Sequence, residues 1–202
     1  MSFRLRGRGS LATRAVTVAL ALVAAGCGQS TVTPTPFETS VPIAPTPWAN
    51  GTVGQYGLRI DPTLLQRLPI AVAGVQLVED TDSEQAEMDD STLTDIDRMA
   101  AAKYGDILGD SDWLQVWVVH FKADHQTPDD YSQWIDDYAA GACSQVTGTP
   151  EEGQATINSW TVDITTCGGV TAYSLALGDG EYVSMLGMGS KNLGKLLIQN
   201  LF

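Results

Sequence analysis

The stretch from Trp113 to Lys122 constrains the fold more than any other. Read with a period of two, Trp113, Trp117, Val119 and Phe121 fall on one side, and Leu114, Val116, Val118 and His120 on the other. A strand apolar on both faces belongs inside a sheet that is covered above and below. The rest of the chain must therefore supply neighbouring strands and two covering layers.

The segments after this strand supply both. Thr127-Pro128-Asp129-Asp130 is a strong helix start, with a capping hydroxyl, proline at the first turn and acids facing the helix dipole. Tyr131, Trp134, Ile135, Tyr138, Ala139 and Ala142 then recur on one helical stripe, a pattern that serves as core more often than as a ligand platform. Gln154–Ile157 and Trp160–Cys167 read as strands joined at Asn158-Ser159. Val170–Leu177 and Glu181–Gly187 read as strands joined at Gly178-Asp179-Gly180, with Gly168-Gly169 bending the chain between the two pairs. Ser190 is expected to cap a last helix burying Leu193, Leu196, Leu197 and Leu201, weakened by Lys191 at its start and Gly194 within it.

The segments before the strand are read in the same way. Asp61-Pro62 opens a short helix carrying Leu64, Leu65 and Leu68, and Ile70–Val78 is extended. Glu79–Asp90 holds seven acids and no base, which predicts a flexible, solvated loop. Thr92–Tyr104 is expected to be a helix, capped by Thr92 and ended by Gly105, with Leu93, Ile96, Met99, Ala100 and Tyr104 on one face. Hairpins at the end of a mixed chain point to an α+β class: an antiparallel-rich sheet packed by amphipathic helices in a single domain over residues 51–202.

Residues ahead of that domain determine where it works. Arg4, Arg6, Arg8 and Arg14 precede an apolar run from Ala15 to Ala25 that is short for a membrane span. Its close, Ala24-Ala25-Gly26-Cys27, resembles the lipobox of bacterial lipoproteins. The resemblance implies that residues 1–26 are a signal peptide and that Cys27 is the lipid-modified N-terminus after cleavage. The alternative is a plain secretory signal with a chance cysteine. Residues 27–50 carry five prolines among Thr and Ser and read as a semi-rigid stalk. The element order over about 110–202 resembles the PsbP-like, LpqN-type domains of bacterial lipoproteins, which implies a fold and no particular activity.

Four of the 11 basic residues precede Cys27 and all 24 acidic ones follow it, so the part after the signal carries −17. Such a surface repels phosphate backbones, which argues against nucleic acid as a partner, and leaves membrane binding to the lipid. Outside the cytoplasm Cys143 and Cys167 are expected to pair as a disulfide.

Candidate chemistry is sparse. Asp80, Asp82 and Glu84 imitate the first ligand positions of a calcium loop, but Gln85 replaces its turn glycine and Ser91 its bidentate glutamate. Asp106, Asp110 and Asp112 form a weaker acidic group. His120 and His125 stand near no nucleophile in the sequence, and neither a Gly-x-Ser-x-Gly elbow nor a phosphate loop is present. The expectation is a non-catalytic binding or accessory domain without a cofactor, partnered by the membrane through its lipid and by an envelope protein or small ligand. The alternatives are a cation-dependent module using the acidic segments, or an enzyme whose site is assembled only in space.

Overall fold

The computed structural model describes residues 53–144 and 146–201. They form an α+β domain dominated by one nine-stranded sheet. The strands are β1 (Arg59–Ile60), β2 (Ala71–Val72), β3 (Val75–Glu79), β4 (Ile96–Tyr104), β5 (Trp113–Phe121), β6 (Glu151–Ile157), β7 (Trp160–Cys167), β8 (Val170–Gly178) and β9 (Glu181–Met188). Three helices accompany them: α1 (Thr81–Glu87), α2 (Pro128–Cys143) and α3 (Leu193–Gln199). A 3-10 turn over Pro62–Arg67 begins at Asp61, whose side chain accepts from the Thr63 N–H.

The sheet runs β2-β3-β4-β5-β9-β8-β7-β6, antiparallel throughout, with β1 added parallel to β4. As expected, β5 is central, hydrogen-bonded along one side to β4 and along the other to β9. Its Leu114, Val116 and Val118 face one core, under the leucines of the 3-10 turn and of α3. Trp117, Val119 and Phe121 face the other, under Trp134 and Tyr138 of α2. The aromatic stripe of α2 is thus core. Its N-terminus carries a full capping box, the Thr127 hydroxyl accepting from the Asp130 N–H while the Asp130 carboxylate accepts from Thr127. Within this face the Trp134 indole donates to Ser184 Oγ at 2.8 Å, and Ser184 shares a 3.0 Å bond with Ser174. Both serines are buried.

Three expectations are corrected. First, Ile96–Tyr104 is strand β4, not the end of a helix. Its alanines lie beneath large partners, with Ala101 opposite Trp117 and Ala102 opposite Val116. Pairing on both sides outweighs the helix preference of Arg, Met and Ala. Second, the acidic stretch is not a flexible loop: Thr81–Glu87 is helix α1, held because Glu84 turns inward and is buried. Third, the last helix starts at Leu193. Ser190 does not cap it, and Asn192 occupies the cap position in a left-handed conformation (φ 55°) without a side-chain cap bond.

One edge of β4 is shared. β1 pairs with Arg98–Met99 and β3 with Ala102–Tyr104, leaving Ala100 and Ala101 between them. Glu84 Oε1 accepts the stranded Ala101 N–H at 2.8 Å, and the Ala101 carbonyl accepts from the Asp80 N–H. A buried carboxyl thus completes the ladder where no strand reaches.

Candidate functional site

The residues singled out in the sequence lie in separate places. Cys27 and the 1–26 segment fall outside the described residues. Cys143 at the end of α2 and Cys167 at the end of β7 form a disulfide, with Cα atoms 5.7 Å apart, beside Trp113 and Val170. It ties the aromatic helix to the sheet.

The acidic candidates are engaged by protein. Asp80 accepts from the Ser83 hydroxyl at 2.8 Å and lies 3.8 Å from the Lys103 ammonium. Glu84 is committed to Ala101, and Asp82 is exposed on the first turn of α1. Burial pushes the Glu84 carboxyl up to about 7, with Glu79 and Asp80 adding to the rise. Burial beside Asp90 likewise raises Glu87 to about 7. Among the described residues, no three His, Cys, Asp or Glu side chains converge as a metal site. Asp112 accepts the Lys191 N–H at 2.6 Å, a bond that holds its carboxyl below the usual range and fixes the turn into α3. Asp106 and Asp110 bond backbone N–H groups of their own loop.

His120 meets Asp97 at 2.6 Å, in a row where Arg98 also pairs with Asp61 and Arg67 with Glu181. His125 lies among Asp95, Asp124 and Asp130 at 3.6–4.0 Å. Among the described residues, no hydroxyl or thiol is hydrogen-bonded to either imidazole. Both histidines sit in charge networks.

A concavity among the described residues lies elsewhere, and its residues were missed in the sequence. It is a groove of about 660 Å³ between the β6–β8 face and α3. Ala155 and Ile164 belong to its floor, with Thr166 and Thr171 directly opposite each other across the β7–β8 ladder. Asn192, Lys195 and Gln199 descend one wall at helical spacing, and the Asn158 turn closes an end.

Two local features set this wall in place. The Tyr173 hydroxyl donates to Asn192 Oδ1 at 2.7 Å, so the amide is held by the sheet instead of the helix. Gly194 lets α3 settle onto the same ring: a Cβ there would stand 2.5 Å from Tyr173 Cε2. The helix-weakening glycine is therefore a contact point between helix and sheet. A left-handed asparagine ahead of a short helix is a poor sequence signal, and the groove-facing threonines belong to strands whose partners are set only by the fold.

The chain matches no known protein family model, and no curated protein matches it in sequence.

Proposed function

We propose that this chain is an exported lipoprotein, fixed to the outer face of the cell membrane through Cys27, whose domain is a non-catalytic binding or accessory module with the groove beside α3 as its binding surface. The observation that carries the reading is the groove itself. Side-chain hydroxyls, amides and one ammonium converge on an open concave surface, the arrangement that gives a small polar ligand both orientation and contact area. The Cys143–Cys167 disulfide supports a compartment outside the reducing cytoplasm, as does the basic and apolar run that ends at Cys27. The order of central strand, amphipathic helix, antiparallel meander and terminal helix supports the resemblance to PsbP-like lipoprotein domains.

Two measurements test this. Mass spectrometry of the mature protein should find a chain starting at Cys27 with acyl mass added, and membrane fractionation should retain it. An unacylated chain recovered among cytosolic proteins sinks the anchoring. For the groove, Thr171→Trp places an indole on its floor. Native mass spectrometry of protein released gently from its membrane should show a small bound species that this variant loses. Equal retention by both refutes the groove as the surface.

A further inference from the structure

We propose that the groove accepts a small hydroxylated organic anion carrying one charged group, a sugar acid or a sugar phosphate, with Lys195 as the anchor of its charge. This rests on the groove being the binding surface and adds the chemistry of what enters it.

The chain holds 24 acidic and 11 basic residues, yet among the described residues no Asp or Glu lines the groove. An acidic molecule repels anions over most of its surface, so a carboxylate-free hollow is where one can approach. Lys195 is the single cationic side chain among the described residues that line it. Four of the domain's six other cations are committed, Arg67 to Glu181, Arg98 to Asp61, Lys103 to Asp80 and Lys122 to the Thr94 carbonyl, and the remaining two, Arg59 and Lys191, do not line the groove. Lys195 is exposed and, among the described residues, makes no ion pair.

The Tyr173 hydroxyl occupies Asn192 Oδ1, which leaves the amide NH2 as the free half of that side chain. Lys195 follows Asn192 by three residues and Gln199 follows Lys195 by four, so the three stand along one side of α3. Ammonium and amide N–H donors in a row suit an oxyanion, and charge-assisted bonds of this kind are the stronger ones. Across the floor, the Thr166 and Thr171 hydroxyls both donate and accept, which matches the hydroxyls of a sugar. Ala155 and Ile164 offer apolar contact for its C–H face.

The limit on charge comes from the far end. Glu151 stands opposite Thr166 in the β6–β7 register, so a second negative group extending that way meets a carboxylate. A ligand with one anionic group fits; one with a second anionic group at that end does not.

The test titrates the full-length protein in detergent micelles with glucuronate, glucose 6-phosphate, glucose and glucosamine, following backbone amide resonances of Thr166, Thr171, Asn192 and Lys195. Expected are shifts with one or both anions, and affinity for the neutral and cationic sugars lower by roughly tenfold or more. Lys195→Gln should weaken anion binding by about the same factor and Lys195→Glu should abolish it. Both substitutions are at an exposed helix position, and an unchanged spectrum away from the groove verifies the fold. Binding of only one anion identifies the headgroup as carboxylate or phosphate. If glucose binds as tightly as the anions and Lys195→Glu changes nothing, the charge preference is wrong while the groove remains a binding surface. If none of the four probes moves those amides, the sugar-anion assignment falls; if Thr171→Trp also leaves the co-purifying species in place, the groove reading falls with it.

Discussion

Replacing Glu84 by glutamine should stabilise the domain, and only above mildly acidic pH. Glu84 is 2% exposed and accepts the Ala101 N–H in the gap between β1 and β3. It lies within hydrogen-bonding reach of Glu79, whose buried Oε1 has no protein donor. A proton on Glu84 supplies that donor, and burial holds the group protonated up to about 7, against 4.5 in the open chain. The sign follows from this rise. Below pH 4.5 both states are protonated and the Glu84–Glu79 contact contributes in full. Between 4.5 and 7 the unfolded chain releases the proton while the folded one keeps it, so stability falls as pH rises. Above 7 the contribution is gone. At about 1.4 kcal/mol per pKa unit this rise of about 2.5 units sets an upper bound of about 3.5 kcal/mol, which solvent screening of the carboxyl lowers to about 2–3 kcal/mol. Glutamine keeps an acceptor for Ala101 and a permanent donor for Glu79, without the titration. Urea unfolding of both proteins from pH 4 to 8.5 should therefore show Glu84→Gln close to wild type at pH 4 and more stable by about 2–3 kcal/mol at pH 8. A stability difference that stays flat with pH, or a variant weaker at pH 8, refutes the buried-proton reasoning.

Three further perturbations follow from the packing. Gly194→Ala improves helix propensity by about 1 kcal/mol, yet the 2.5 Å approach to Tyr173 should make it a net loss of about 1–3 kcal/mol, read as a lower denaturation midpoint. Ser184→Ala strands the Trp134 indole N–H and should cost about 1–3 kcal/mol, with the tryptophan fluorescence of the native state altered. Reducing the Cys143–Cys167 bond, which spans 24 residues, should lower stability by roughly 3 kcal/mol while far-UV dichroism at low temperature keeps its sheet signal.

How much of this was legible in the sequence depends on where each signal sits. Strand β5 was readable because alternation on both faces is a local pattern, and α2 because Thr127, Pro128 and Asp130 mark its start. The hairpin turns were readable too: Asn158-Ser159 joins β6 to β7, and Asp179-Gly180 joins β8 to β9. Strand β4 was not readable, because Arg98 to Ala102 favours helix and only the neighbours Trp117 and Val116 make it a strand. Helix α1 was hidden by its charge, since the buried carboxyls of Asp80 and Glu84 look in sequence like the exposed acids beside them. The groove was invisible for a different reason. Its walls come from β6, β7, β8 and α3, and no short stretch contains enough of them to form a pattern.

The divided edge of β4 also has a mechanical meaning. On that flank the sheet is pieced together from strands of two, two and five residues, whereas the strands from β4 onward run to seven or more. A load drawn through the N-terminal side of the chain meets β1 first, where only two residues grip the sheet. Tension is then relieved by peeling at that seam, several strands away from the hollow beside α3.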